Sequence, residues 1–261
     1  SAGAEGFYST IWGGEDLHIG IYESPGESIR DASRRTVERM ASLVPIDGRT
    51  RVLDIGAGYG GSARVLADEF GCRVTCLNLS AVQNDRNRRL TAERGLSGRV
   101  DVVEGSFEDL PFSEDAFDLV WSQDAILHSA RRERVLAEAL RVLAPGGRFL
   151  FTDPMQADDA DPELLAPVLE RLDLESLASP GFYQRAADNL GMHLERFIDL
   201  SPHLTTHYGR VLGELERQED AVRARSGDDY VDRMKRGLAN WVNAGRAGSL
   251  VWGIMLFSRP A

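Results

Sequence analysis

The apolar run Val52-Leu-Asp-Ile55 breaks into Gly56-Ala-Gly-Tyr-Gly-Gly61 and then into a helical pattern, GGSARVLADEF. A strand that turns through glycines into a helix is the start of a strand–helix–strand unit, and the pattern recurs. RVLDI (51–55), RVTCLNL (73–79), VDVVEG (100–105), FDLVWS (117–122) and RFLFTD (148–153) read as buried strands. SAVQNDRNRRLTAERG and RRERVLAEALRVL, between later pairs, read as helices; in the second, Val135, Leu136, Ala139, Leu140, Val142 and Leu143 form an apolar stripe. SIRDASRRTVERMASLV precedes the first strand as a further helix. Elements alternating at this pitch require right-handed crossovers and a parallel sheet covered by helices on both faces.

Beyond Asp153 the pattern changes. PMQADDADPELLAPVLERLDLESLASPG reads as short helical turns interrupted by Pro and Gly, and MHLERFIDL (192–200) alternates like a strand. Residues 203–246 read as two polar helices, and SLVWGIMLFSR (249–259) as a last strand. The expected fold is α/β: a doubly wound, seven-stranded, mostly parallel, Rossmann-like sheet with a helical cap inserted before the last strand. The 261 residues divide into an N-terminal lid segment (1–26), a core (27–200), a cap (201–248) and the closing strand (249–261).

Charge narrows the partners. Asp and Glu number 41 against 30 Lys and Arg, a formal net charge of −11. Such a surface repels phosphate backbones and anionic lipid, so neither nucleic acid nor membrane is an expected partner. Cys72 and Cys76 lie four residues apart on one strand, about 13 Å, too far for a disulfide. No apolar run approaches membrane-spanning length, and the start SAGAEGFYST lacks the basic and apolar regions of a secretory signal. A reduced, cytoplasmic protein is expected, with no oligomeric state specified.

The glycine loop admits two readings. Gly56, Gly58 and Gly61 satisfy the dinucleotide pattern G-x-G-x-x-G. Asp54, Gly56, Gly58 and Gly60 satisfy D-x-G-x-G-x-G, the loop of class I S-adenosylmethionine (SAM) methyltransferases. An acidic residue two places before the first glycine suits a cationic amino-acid tail and has no task beside a pyrophosphate. The second strand ends in Asn78 where a dinucleotide site offers an acid to the ribose. Gly105-Ser-Phe-Glu-Asp-Leu-Pro-Phe112 follows the third strand, where methyltransferases hold adenine. SAM is favoured over NAD, and an NAD-linked oxidoreductase is the rival from another class.

Longer stretches narrow the reading further. FYSTIWGGEDLHIGIY, VLDIGAGYGGSAR, CLNLS, FDLVWSQDAILHS, RVLAPGG, FTDPMQADD and MKRGLANWVNAGRAGSLVWGIMLF resemble sarcosine/dimethylglycine N-methyltransferases, the enzymes that make the osmoprotectant glycine betaine. WSQDAILHS is also similar to phosphoethanolamine methyltransferases. The resemblance implies that Asp54, Gly56, Ala57 and Gly58 surround the methionine part of SAM, that Asn78 and Leu79 meet the ribose with Gln83 nearby, and that Ser106 and Phe107 border adenine. It sets Gln123 beside the methionine tail and brings Tyr8 and Tyr22 of the N-terminal segment to the cofactor; Trp12 and His18 share that segment. S-adenosylhomocysteine would be the product.

An amine acceptor must lose its proton before it can attack a methyl group. His128, just past the fourth strand, is the candidate base, since imidazole titrates in the right range. Asp124 and Asp153 could orient it or attract the amine. A quaternary ammonium prefers aromatic faces, for which Tyr183, Tyr208 and Trp241 are candidates, with Met155 against the methyl groups. Among Arg210, Arg236 and Arg246, the last is favoured for the acceptor carboxylate because Gly245 and Gly248 flank it. His203 and His207 are four apart without an evident third ligand, so no metal is expected. The rival acceptors are phosphoethanolamine and a natural-product hydroxyl.

Overall fold

The computed structural model describes residues 18–261. Seven strands form one sheet: β1 (Arg51–Ile55), β2 (Arg73–Asn78), β3 (Val100–Glu104), β4 (Phe117–Gln123), β5 (Leu143–Gln156), β6 (His193–Asp199) and β7 (Leu250–Ser258). Their order is β3-β2-β1-β4-β5-β7-β6, with β6 antiparallel to β7. Strand order reverses between β1 and β4, which pair in parallel with Asp54 beside Trp121. In such sheets ligands bind outside the carboxyl ends at this reversal, where Ile55 leads into the glycine loop and β4 ends in Gln123.

The helices are α1 (Ile29–Ala41), α2 (Gly61–Phe70), α3 (Ala81–Glu93), α4 (Arg132–Val142), α5 (Pro162–Leu172), α6 (Pro180–Asn189), α7 (Ser201–Arg217), α8 (Glu219–Ser226) and α9 (Asp228–Arg246). The chain divides into two compact units. One comprises residues 37–153, 181–199 and 253–261 and carries most of the sheet. Val52, Leu53, Ile55, Trp121, Phe149, Phe151 and Phe257 are fully buried there, and the free thiols Cys72 and Cys76 are buried too. Near-continuous burial along β1 and β4 is what a parallel sheet covered on both faces requires.

The other unit gathers residues 18–36, 154–180 and 200–252. Val211, Leu215, Val222, Val231 and Leu238 form its apolar centre, flanked by Tyr208, Tyr230 and Met234. Two expectations fail here. Where residues 203–246 promised two helices there are three, broken at Gln218 and again at Gly227, whose φ of +85° no helix accommodates. Where Pro and Gly promised only short turns, α5 runs for 11 residues. Its Asp161 cap accepts the Glu163 N–H, Pro162 occupies the first turn, and Pro167 lies exposed. Among the described residues no helix is long and apolar enough to cross a membrane.

Candidate active site

The loop after β1 folds back on β2: the N–H groups of Gly56 and Ala57 both donate to the Leu77 carbonyl, at 2.8 and 3.2 Å. Gly56 takes φ +74°, and a Cβ there would collide with the Ala125 side chain. Gly58 also has positive φ, +54°, but a Cβ there would enter open space. The first glycine is therefore demanded by packing, and the second by its positive φ alone. Asp54, two residues earlier, is 3% exposed.

Five residues lie at or just past the ends of β4, β2 and β3. Gln123 accepts from Ser62 Oγ and, at 3.0 Å, from Trp121 Nε1, while its own Nε2 is buried without a partner. Asn78 donates from Nδ2 to Gln83 Oε1 at 2.9 Å, and Asn84 Nδ2 holds the Asn78 carbonyl at 3.0 Å. Leu79, next along, is 65% exposed, a large apolar side chain left bare. Ser106 Oγ accepts the Glu108 N–H at 3.1 Å, and the Phe107 ring approaches Gly56 from the third strand's loop.

Past β4, Asp124 adopts φ +52° and its N–H donates to the Thr152 carbonyl at 2.9 Å. The chain then makes a single 3₁₀ turn, Ile126–His128. His128 is solvent-accessible as a residue and makes no side-chain hydrogen bond among the described residues. Partial desolvation and the nearby Arg132 guanidinium hold its pKa below the usual value, which favours the neutral ring. Asp153 is buried completely, with the Tyr183 hydroxyl on Oδ2 at 2.6 Å and the Leu127 N–H on Oδ1 at 3.0 Å.

The second unit has its own polar cluster. Tyr22 donates its N–H to His203 Nδ1 at 3.1 Å, and its hydroxyl meets His207 Nδ1 at 3.0 Å. The Arg210 guanidinium lies 5.9 Å from the centre of the Tyr22 ring. Tyr208 and Trp241 stack at 4.5 Å; Trp241 is 1% exposed and its Nε1–H is buried without an acceptor. Met155 is fully buried and Arg246 is exposed at the end of α9. The reason for favouring Arg246 does not survive: a Cβ at Gly245 would strike Thr205 of α7, so this glycine admits a helix neighbour. Gly248, at φ +79°, ends α9 by donating to Gly245. Neither glycine is accounted for by a ligand.

A Methyltransferase domain family matches residues 53–151. A glycine/sarcosine/dimethylglycine N-methyltransferase of Actinopolyspora halophila is 54% identical over 98% of this chain, which spans only 45% of that protein. A sarcosine/dimethylglycine N-methyltransferase of Aphanothece halophytica is 51% identical over all of this chain and 94% of that one. The chain belongs to the sarcosine/dimethylglycine N-methyltransferase family. A crystal structure from Galdieria sulphuraria, provisionally described as a sarcosine dimethylglycine methyltransferase, superposes with a TM-score of 0.94 at 39% identity, covering 99% of this chain and 97% of that one.

Members of this N-methyltransferase family use SAM, and the loop fits that group. The orphan Gln123 Nε2–H offers a donor, Gly58 leaves room, the Asn78–Gln83 pair keeps Asn78 Oδ1 for a hydroxyl, and bare Leu79 offers an apolar rest. The structure gathers Asp54, Gly56, Ala57, Gly58, Asn78, Leu79, Gln83, Phe107 and Gln123 in one unit at the carboxyl edge of the sheet, with Ser106 in the loop after β3. Tyr183 belongs to that same unit, and Tyr208 and Trp241 to the other. Tyr183 is fully buried, its ring edge-on to Phe151 at 5.0 Å, so no ring face is open. Tyr8 and Trp12 lie outside the described residues. Ser62 and Arg132 carry no mark in the sequence pattern. His203 and His207, considered only as metal ligands and rejected, accept the Tyr22 and Gly20 N–H groups respectively. Among the described residues no group of three His, Cys, Asp or Glu could hold a metal.

Proposed function

We propose that this chain transfers methyl groups from S-adenosylmethionine to the nitrogen of sarcosine and of dimethylglycine, the second transfer giving glycine betaine. The observation that carries the acceptor is the 51% identity, along the full chain, to the Aphanothece halophytica enzyme of that name. SAM supplies a methyl group on a sulfonium, already electrophilic, so the protein must align it with the amine and exclude water. Gln123, Asp54 and the loop from Gly56 to Gly58 would orient the amino-acid tail, Asn78 with Gln83 the ribose, and Leu79, Ser106 and Phe107 the base.

The acceptor must arrive as the free amine. Desolvation and Arg132 disfavour the imidazolium of His128, and its ring would take the proton or relay it to water. Asp124 would draw the ammonium form towards it. Met155, Tyr208, Trp241 and Arg246 are proposed for the acceptor: the aromatic pair for the methylated nitrogen, and the Trp241 Nε1–H or an arginine for the carboxylate. In this reading residues 201–248 serve as the acceptor cap and residues 1–26, with Tyr8 and Tyr22, as the lid. Formation of S-adenosylhomocysteine is to be followed with glycine, sarcosine, dimethylglycine and phosphoethanolamine offered separately. Turnover with sarcosine and dimethylglycine supports the proposal; turnover with phosphoethanolamine alone overturns it.

A further inference from the structure

The turn that carries His128 has little backbone bonding of its own. His128 N–H reaches Ala125 O at 3.2 Å and Ser129 N–H reaches Ile126 O at 2.9 Å. Its central residue, Leu127, is instead gripped at both ends of the residue by side chains. Asp153 Oδ1 accepts the Leu127 N–H at 3.0 Å, and Arg132 Nη2 donates to the Leu127 carbonyl at 2.9 Å. Asp153 is fixed in turn by the Tyr183 hydroxyl at 2.6 Å, and Tyr183 by Phe151 and Phe182. Asp153 and Tyr183 are both 0% exposed, and both Asp153 oxygens are hydrogen-bonded within the protein.

We infer that Asp153 and Tyr183, together with Arg132, are positioning residues: they clamp Leu127 and thereby aim the imidazole of His128. This rests on the proposed role of His128 and replaces the acceptor contacts expected of Asp153 and Tyr183. A buried carboxyl is costly unless its oxygens are satisfied, and here both are occupied by the clamp. Burial pushes the Asp153 carboxyl up to about 8, against the pull of Tyr183 and the Leu127 N–H. The clamp thus holds against a desolvation cost, within β5 and shortly before its end at Gln156.

Tyr183→Phe deletes only the hydroxyl and leaves the ring packed. The expected result is a kcat for dimethylglycine lower by about ten- to a hundredfold, because a small misplacement of a reacting group has that effect. The KM for SAM stays within twofold, and the His128 signal in imidazole-labelled NMR broadens or shifts. Asp153→Asn keeps an oxygen for Leu127 and an amide for Tyr183, so it retains most of the activity, whereas Asp153→Leu does not. An unchanged kcat in Tyr183→Phe, or a fall in kcat with the His128 signal unmoved, overturns the inference. Equal losses in Asp153→Asn and Asp153→Leu overturn it too. If the wild-type protein methylates no dimethylglycine, the proposed function falls, and the NMR signal alone then decides the clamp.

Discussion

The hydroxyl of Tyr22 meets Nδ1 of His207 at 3.0 Å, across 185 residues of sequence. The same nitrogen accepts the Gly20 N–H at 3.2 Å, so His207 must stay unprotonated at Nδ1 for both bonds to exist. Burial, reinforced by the neighbouring His18, holds its pKa down to about 3.

A pH prediction follows with a definite sign. The folded pKa is depressed below the unfolded value of 6.5, so this group's contribution is complete above pH 6.5 and is lost as pH falls towards 3. In denaturant titrations, the stability advantage of wild type over His207→Phe should shrink by about 1.4 kcal/mol per pH unit below 6.5. A constant difference between pH 7.5 and 5 would contradict the neutral, accepting His207.

The two loop glycines should fail differently. Gly56→Ala meets Ala125 and keeps a positive φ, and should destabilise the apoprotein by about 3 kcal/mol. Gly58→Ala meets nothing and bears only the φ cost, about 1–2 kcal/mol, yet it intrudes on the space proposed for SAM. Thermal unfolding without ligand and SAM titration on each variant separate the effects. Gly58→Ala should bind SAM more weakly by at least tenfold while remaining folded.

Gln123 tests the tail of the cofactor site. Gln123→Glu keeps the acceptor for Ser62 and Trp121 but removes the buried Nε2 donor. SAM affinity should fall about tenfold, the value of roughly 1.4 kcal/mol for one buried hydrogen bond. Unaltered affinity by calorimetry would remove Gln123 from the site.

Why some of this was legible and some was not is physical. β1 matched its expected span to the residue, since RVLDI opens on a charge, is followed by a glycine and is buried after Arg51. Asp54, Gly56 and Asn78 were readable because a local motif fixes them. Pairings between distant segments leave no periodic mark: nothing in HLTTH indicates that His203 and His207 accept from residues 20–22. Composition shows an aromatic ring at Tyr183 but not its burial against Phe151. Arg246 was favoured on glycines that the structure accounts for by helix packing and a helix end.

His128 bears the proton claim. His128→Gln should lower kcat by about 10²–10⁴-fold with little change in SAM affinity. In wild type the acid limb of kcat/KM should lie below 6.5, because burial and Arg132 both disfavour the imidazolium. The variant should lose that limb. Near-normal turnover in His128→Gln would leave selection of the free amine as the whole mechanism.

The most direct measurement is carbon NMR of the products formed from SAM labelled in its methyl group and unlabelled dimethylglycine. The account predicts the label in the trimethylammonium carbon of glycine betaine, one equivalent for each S-adenosylhomocysteine released. Label that stays in SAM with dimethylglycine, yet moves to the nitrogen of phosphoethanolamine or to a hydroxyl oxygen, would contradict it.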